Sequence, residues 1–493
     1  MSLAEIDPAV AVSPTDVAAR NGAVEPGVGK LAGRVARRIE AEVVARGWPV
    51  GESLGSEPEL RVRHGVSRSV LREAVRLVEH HQVARMRRGP NGGLFVSAPD
   101  AGPAARAMVI YLEYVGTTVD DLMQARRLLE PLAAGIAAQQ VTEAGIELLR
   151  QTLDAETDDT GELSAEALHN VLGELSANAV LRLFIDVLIR LTSRYAEPAA
   201  SVPRSEYKKA RSAAKRRHAE IGAAVIAGDS GRAELLVGEY LDGVRAWMQA
   251  NRRGFAPAEQ SSESAAVEHD PQAKLAEVVA GRLRDDIVAA GWPVGAVLGS
   301  EAELLARYGI SRAVLREAVR LLEYHSVARM RRGPGGGLVV AAPDPQASID
   351  TMALYLEYMR VTGEDLLTVR EAIELGMITR VAARHDDPEV AARLDEAVRW
   401  VSEAPADDQG SADHFHVELS ELAGNPVLAL FLRILTALWR RHSATERVAA
   451  GPETVAQVEH VHRRIAEAVL AGDEGLARHR LRRHLAALTE WWH

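Results

Sequence analysis

Apolar residues recur at three- and four-residue intervals along most of the chain. Leu31, Val35, Ile39 and Val43 fall at i, i+4, i+8 and i+12, which predicts an amphipathic helix over residues 30–46. Gly47-Trp48-Pro49 ends it. Ser56-Glu57-Pro58-Glu59 has the form of a capping box opening a second helix, with Pro58 in the first turn, where a missing N–H is tolerated. That helix stops at His64-Gly65, and Ser67 caps a third running to about His81. Helix, short turn with glycine, helix is the helix-turn-helix pattern. The period then shortens. Val83–Met86 and Leu94–Ser97 read as two short strands flanking Arg87-Arg88-Gly89-Pro90-Asn91-Gly92-Gly93, a basic turn. From about 102 to 250, and from 346 to 493, helical periodicity returns without any sustained period-2 run. Each stretch has room for six or seven helices of 12–22 residues.

The pattern occurs twice. Gly47–Asp100 matches Gly291–Asp344 at an offset of 244, with 40 identities in 54 positions and no gap. Further along, Asp121, Arg126 and Glu130 parallel Asp365, Arg370 and Glu374, and His218 with Gly228-Asp229 parallels His462 with Gly472-Asp473, all at 244. Such a period is far too long for a solenoid and indicates a duplicated whole protomer. The fold class expected is mainly α: two winged helix-turn-helix domains, each with a small β-hairpin wing, and two all-helical bundles. The expected division is a disordered tail (1–29), a first reader (30–98), a first bundle (99–250), a polar linker (251–272), a second reader (273–342) and a second bundle (343–493).

Composition narrows the chemistry. At ~100–200 residues per domain, 493 residues make two to four domains, and 47% hydrophobic content excludes wholesale disorder. The 4% aromatic content favours packed helices. The absence of cysteine rules out disulfides, thiolate metal sites and a cysteine nucleophile, and suits a reducing cytosol. No apolar run approaches the ~18 residues of a membrane span, and residues 1–21 do not read as a signal peptide. A net charge of −11 argues naively against nucleic acid, but the charge is uneven. Residues 30–100 carry a net +5 and 274–344 a net +2, leaving −18 for the rest. Basic modules in an acidic chain are the footprint of a DNA reader.

On the third helix Arg68, Arg72 and Arg76 share one face, and Leu71, Val75 and Val78 the opposing one. Arginines in the first turns of a recognition helix reach base edges, where a bidentate contact to guanine is worth ~1–3 kcal/mol of discrimination. Arg312 and Arg316 repeat the pair. Residues 65–77 (Gly-Val-Ser-Arg-Ser-Val-Leu-Arg-Glu-Ala-Val-Arg-Leu) and 87–96 (Arg-Arg-Gly-Pro-Asn-Gly-Gly-Leu-Phe-Val) strongly resemble the DNA-binding domain of GntR-type bacterial transcription regulators, and the second copy fits equally well. The resemblance implies a DNA surface of Arg68, Ser69, Arg72, Arg87, Arg88 and Gly89, repeated as Arg312, Arg316, Arg331, Arg332 and Gly333. It departs at Pro58 and Ala302, where the family often has an arginine.

In each bundle, Asp-Leu-x-x-x-Arg-x-x-x-Glu, a histidine before Gly-Asn or Ala-Asn, and His-x-x-Ile-x-x-Ala-Val-x-x-Gly-Asp resemble the FCD effector domain of the FadR-like subfamily. His416, His462 and His484 each fall with apolar neighbours on separate helices, and facing imidazoles are a common way to hold a divalent metal. The resemblance identifies these positions with the family's metal ligands and implies one divalent metal, zinc or similar, in the second bundle. The family's fourth ligand, an aspartate, is replaced by Ala412, with Asp413 beside it as the candidate substitute, or a water. The first bundle keeps His169 and His218 but has Tyr240 and Ala165 at the other two places, a poor divalent site. Arg126 and Arg370 also lie on apolar faces. A buried arginine wants a carboxylate, either Glu130 or Glu374 at i+4 or an acidic effector. Arg370, Arg126, His169, His218 and Tyr240 are the candidate effector residues.

The expected function is a ligand-responsive regulator, cytoplasmic and nucleoid-associated in a bacterium. It would bind a near-palindromic double-stranded operator through two linked readers and sense a small organic acid. The chain would be a pseudo-dimer, open to higher assembly. The alternative is an architectural DNA-binding protein whose bundles only dimerise. An enzyme is not expected: no His-Glu-x-x-His or phosphate loop is present, and the five lysines lack the α/β context of a pyridoxal-phosphate domain.

Overall fold

A computed structural model describes residues 28–87, 89, 92–157, 166–195, 204–250, 271–331, 333, 335–403, 411–443 and 452–488. Arg88, Arg332, Ala165, nearly all of the expected tail and residues 251–270 of the expected linker lie outside them. The chain divides into two compact units, Met1–Pro99 and Asp100–His493.

The first unit contains α1 (Val28–Ala45), β1 (Ser53–Gly55), α2 (Glu57–His64), α3 (Arg68–His80), β2 (Ala84–Arg87) and β3 (Gly93–Val96). Ile39 and Val43 of α1 are buried together with Leu71, Val75 and Val78 of α3. Local chemistry sets the ends. The Ser56/Glu59 capping box opens α2, Gly65 closes it at φ +62°, and Ser67 caps α3. The wing is a hairpin in which Ala84 faces Val96 and Arg87 faces Gly93. A third strand, β1, joins the outer side of β3. The sequence did not announce it, because three residues are too few to show a period of two.

In the second unit, the elements up to the second reader are α4 (Ala101–Tyr114), α5 (Val119–Gln140), α6 (Glu143–Thr157), α7 (Ala167–Leu175), α8 (Ala179–Tyr195), α9 (Arg204–Ile226) and α10 (Ser230–Ala250). The reader follows as α11 (Pro271–Ala289), α12 (Glu301–Tyr308), α13 (Arg312–Tyr324), β4 (Ala328–Arg331) and β5 (Gly337–Val340). The second bundle is α14 (Pro345–Tyr358), α15 (Gly363–Ala382), α16 (Pro388–Glu403), α17 (Ser411–Leu422), α18 (Pro426–Ser443), α19 (Pro452–Leu470) and α20 (Glu474–Leu488). Each bundle thus has seven described helices. At nine residues, α7 is shorter than expected.

The two bundles share one hydrophobic core, running from Ala105 and Met108 through Phe184 and Leu191 to Phe415, Phe431 and Leu485. At its centre Phe184 of α8 and Phe431 of α18 stack with ring centroids 3.9 Å apart. The polar contacts across the join are reciprocal. Asn178 caps α8 through Oδ1 and donates from Nδ2 to the Asp365 carbonyl at 3.0 Å; Asn425 caps α18 and donates to the Asp121 carbonyl at 3.1 Å. This is pseudo-twofold pairing within one chain. Gly376 permits the close approach of α15 to α5, since a Cβ there would lie 2.4 Å from a Leu128 methyl. Ile110 of α4 packs into the core of the second reader with Leu283 and Leu315, and Tyr114 meets Trp292 edge to face at 5.6 Å. The sequence treats reader and bundle as separate segments; buried side chains of α4 join them in residues 100–493.

Candidate DNA-reading surface and ligand site

The α3 helix places its arginines by amphipathicity. Leu71, Val75 and Val78 are buried, so Arg68, Ser69, Arg72 and Arg76 face solvent. The cations differ in freedom. Arg68 Nε donates to Glu57 at 2.6 Å, and Arg312 lies 3.5 Å from Glu301 in the second reader. Arg72 and Arg316 have no hydrogen-bonding or acidic partner among the described residues. The glutamates follow the capping serines of α2 and α12, a role the sequence reading missed. In the wings the Arg87 guanidinium lies 4.4 Å over the Phe95 ring, and Arg331 donates to the Gly335 carbonyl at 2.8 Å. Gly89 and Gly333 take φ of +119° and +100°, a turn conformation that side-chain-bearing residues rarely adopt.

Helices α15, α17, α19 and α20 bring together the predicted residues of the second bundle. His484 Nε2 lies 3.2 Å from both His416 Nε2 and His462 Nε2, and all three ligand atoms fall within 4.8 Å of one another. Glu374 links this cluster to Arg370: it accepts from His416 Nδ1 at 2.5 Å and from Arg370 Nε at 2.6 Å. Burial alone would push the Glu374 carboxyl up, but His416 and Arg370 hold it at about 2. An ionised carboxylate only accepts, so the His416 proton sits on Nδ1 and the Nε2 lone pair faces the other rings. Burial, reinforced by neighbouring cations, pushes His462 well down and His484 to about 3. His462 and His484 are therefore neutral. Asp413 does not join them: its oxygens lie 3.1 Å from Arg440 Nε and 3.7 Å from Arg370 Nη2. The local turn of α17 thus points the candidate fourth ligand at arginines. Both terminal nitrogens of Arg370 are buried without a hydrogen-bond partner.

The first bundle assembles the corresponding side chains differently. His169, His218 and Tyr240 form a ring cluster with centroids 4.7–5.3 Å apart. His169 Nδ1 lies 2.6 Å from Glu130, and His218 Nδ1 lies 2.8 Å from Glu156, another residue the sequence reading missed. Arg126 donates from Nε to Glu130 at 2.5 Å and from both Nη atoms to Glu166, at 3.2 and 2.7 Å. Among the described residues, only His416, His462 and His484 form a cluster able to hold a cation.

Comparison with known proteins fits these two kinds of site. The FCD domain profile matches twice, at residues 121–243 and 365–487, and the profile of the gntR family of bacterial regulatory proteins matches residues 275–338. The chain belongs to the GntR family. It carries that family's helix-turn-helix reader with FCD domains, the FadR-like architecture. It is 30% identical over 158 residues to the Uxu operon regulator of Haemophilus influenzae, covering 30% of this chain and 55% of that protein. It is 28% identical over 235 residues to the HTH-type transcriptional repressor NanR of Salmonella arizonae, covering 45% and 85% respectively. The chain thus spans about half the length of the first of these relatives. A GntR structure from Streptococcus agalactiae aligns over 44% of this chain and 99% of its own, at 21% identity and a TM-score of 0.33. No helix among the described residues is long and apolar enough to cross a membrane.

Proposed function

We propose that this GntR-family chain performs alone what two separate protomers would perform together. Its two readers, residues 30–98 and 273–342, bind the halves of a near-palindromic double-stranded operator. Bundles 99–250 and 343–493 form the sensor, with 1–29 as a tail and 251–272 as a linker. The ligand is a small organic acid, taken up by the second bundle, and the protein acts in the bacterial cytoplasm at the nucleoid, without catalysis. The observation that carries this reading is Arg370: a fully buried guanidinium whose terminal nitrogens have no hydrogen-bond partner among the described residues, beside three converging imidazoles. A buried cation left this way favours an anion.

The residues also fit a divalent metal. Nitrogens ~2.0–2.1 Å from a tetrahedral zinc stand about 3.3 Å apart, and two of the three separations here are 3.2 Å. His416, His462 and His484 would hold it. The metal would supply a Lewis-acidic centre for the acid's carboxylate, and Glu374 would orient His416. Arg370 would receive the carboxylate's charge. Ligand contacts would then bias the arrangement of the readers through differential affinity.

The test is elemental analysis of purified protein, then DNA binding with and without candidate acids. The expected result is at most one metal per chain, lost in His462→Ala, and an acid response lost in Arg370→Gln. Two metals per chain, or one that survives His462→Ala, would refute the asymmetric site. Acid-insensitive DNA binding would favour the architectural alternative.

A further inference from the structure

The bundles differ at one position in a way that decides which can respond. Glu166 stands three residues before His169, as Asp413 stands three before His416. Both carboxylates face the buried arginine of their bundle. The longer Glu166 reaches Arg126 and meets both Nη atoms at 3.2 and 2.7 Å, the two-pronged geometry a bound carboxylate would adopt. Asp413, one methylene shorter, stops 3.7 Å from Arg370 and gives its other oxygen to Arg440 at 3.1 Å. Counting forward from each histidine, the place of Arg440 in the first bundle falls to Ser193, which offers no such pull.

We infer that the first bundle carries a built-in ligand: the Glu166 side chain occupies on Arg126 the place that the second bundle leaves open on Arg370 for a carboxylate. This rests on the reading of Arg370 as the anion site. The first bundle is then permanently in its filled state, and one acid molecule per chain completes the pair. Closure costs little affinity elsewhere because the occupant is tethered at high effective concentration. The length of one side chain therefore sets the number of responsive sites.

The test uses the full chain stripped of metal with a chelator, and sodium acetate as probe against sodium chloride at equal ionic strength, read by thermal unfolding. Wild-type protein should show an acetate-dependent stabilisation that Arg370→Gln removes. If Arg370→Gln keeps it, the reading of the second bundle fails, independently of the first. Glu166→Ala, made in the Arg370→Gln background, should unfold at lower temperature in chloride and gain an acetate-dependent rise, which Arg126→Met abolishes. Glu166→Asp keeps the charge and guards against misfolding; it should gain acetate sensitivity as well. In the opposite direction, Asp413→Glu in the otherwise wild-type chain should weaken the acetate response about tenfold or more, ~1.4 kcal/mol or above. If neither Glu166 variant gains an acetate response over its parent, or if Asp413→Glu leaves the response intact, the inference is overturned.

Discussion

At the residue scale, two buried neutral histidines, His462 and His484, make the metal-free protein sensitive to mild acid. His484 titrates at about 3 when folded, against 6.5 as its ordinary value, because burial penalises the charged ring. Between those values the unfolded chain binds the extra proton, so stability rises with pH through the window and is complete above about 6.5. His462 shifts in the same direction. Glu374 is depressed from 4.5 to about 2, so its contribution is complete above about 4.5 and fades as pH falls toward 2. Chelator-treated protein should therefore lose unfolding temperature between pH 6.5 and 4.5 through the histidines, before the carboxylates join. His462→Asn with His484→Asn should flatten that upper region, and Glu374→Gln the lower. Equal losses between pH 6.5 and 4.5 in wild type and the double variant would contradict this assignment. The histidines and arginines were legible in the sequence because each shares a helical face with apolar residues. Their partners were less so. Glu374 was visible at i+4 from Arg370, but its bond to His416 spans 42 residues and follows only from packing. Glu166 carried a faint signal, its place three residues before His169, which gains meaning only once Asp413 is seen to fall short.

At the scale of elements, α4 links the paired bundles to the second reader. Met108 and Leu112 lie in the shared bundle core, and Ile110 lies in the reader core with Leu283 and Leu315. A helix apolar on more than one face is buried on more than one side. The sequence showed the helix and not its second face, because nothing local says that a segment next to the first reader packs on the other. The reader helices and the two hairpin strands were legible to within a residue or two, β1 excepted, since caps, glycine turns and an amphipathic α3 all agree. Ile110→Ala should remove buried methyl groups from the reader core at a cost of about 2–4 kcal/mol. The expected signature is selective: hydrogen exchange in α11 and α13 should accelerate while that in α18 and α19 stays protected. Uniform acceleration across residues 100–493 would show instead that reader and bundles unfold as one unit.

At the scale of the molecule, one core joins the two bundles, so pairing does not depend on protein concentration. The reciprocal asparagine contacts and the Phe184–Phe431 stack make residues 100–493 a pseudo-dimer in which each bundle can diverge. The readers have stayed alike, at 40 of 54 positions, while Tyr240 has replaced a histidine and the two carboxylates differ in length. Near-identical readers with unlike bundles fit the proposed symmetric target and single signal. One chain should therefore protect two half-sites. Arg72 and Arg316, the recognition-helix arginines without partners among the described residues, should each govern one of them. Arg72→Ala or Arg316→Ala should each relax base preference in one half-site, by about 1–3 kcal/mol at the contacted base pair. Arg88→Ala, in the basic turn that the sequence sets between the two hairpin strands, should weaken binding to all sequences alike and lower the salt slope by about one. Selection from random DNA with each single variant separates the cases. An asymmetric motif, degenerate on one side only, is the signature of one chain per operator. A motif that degrades equally on both sides would mean that two chains meet on the DNA, each contributing the same reader, and the intrachain pairing of readers would be wrong.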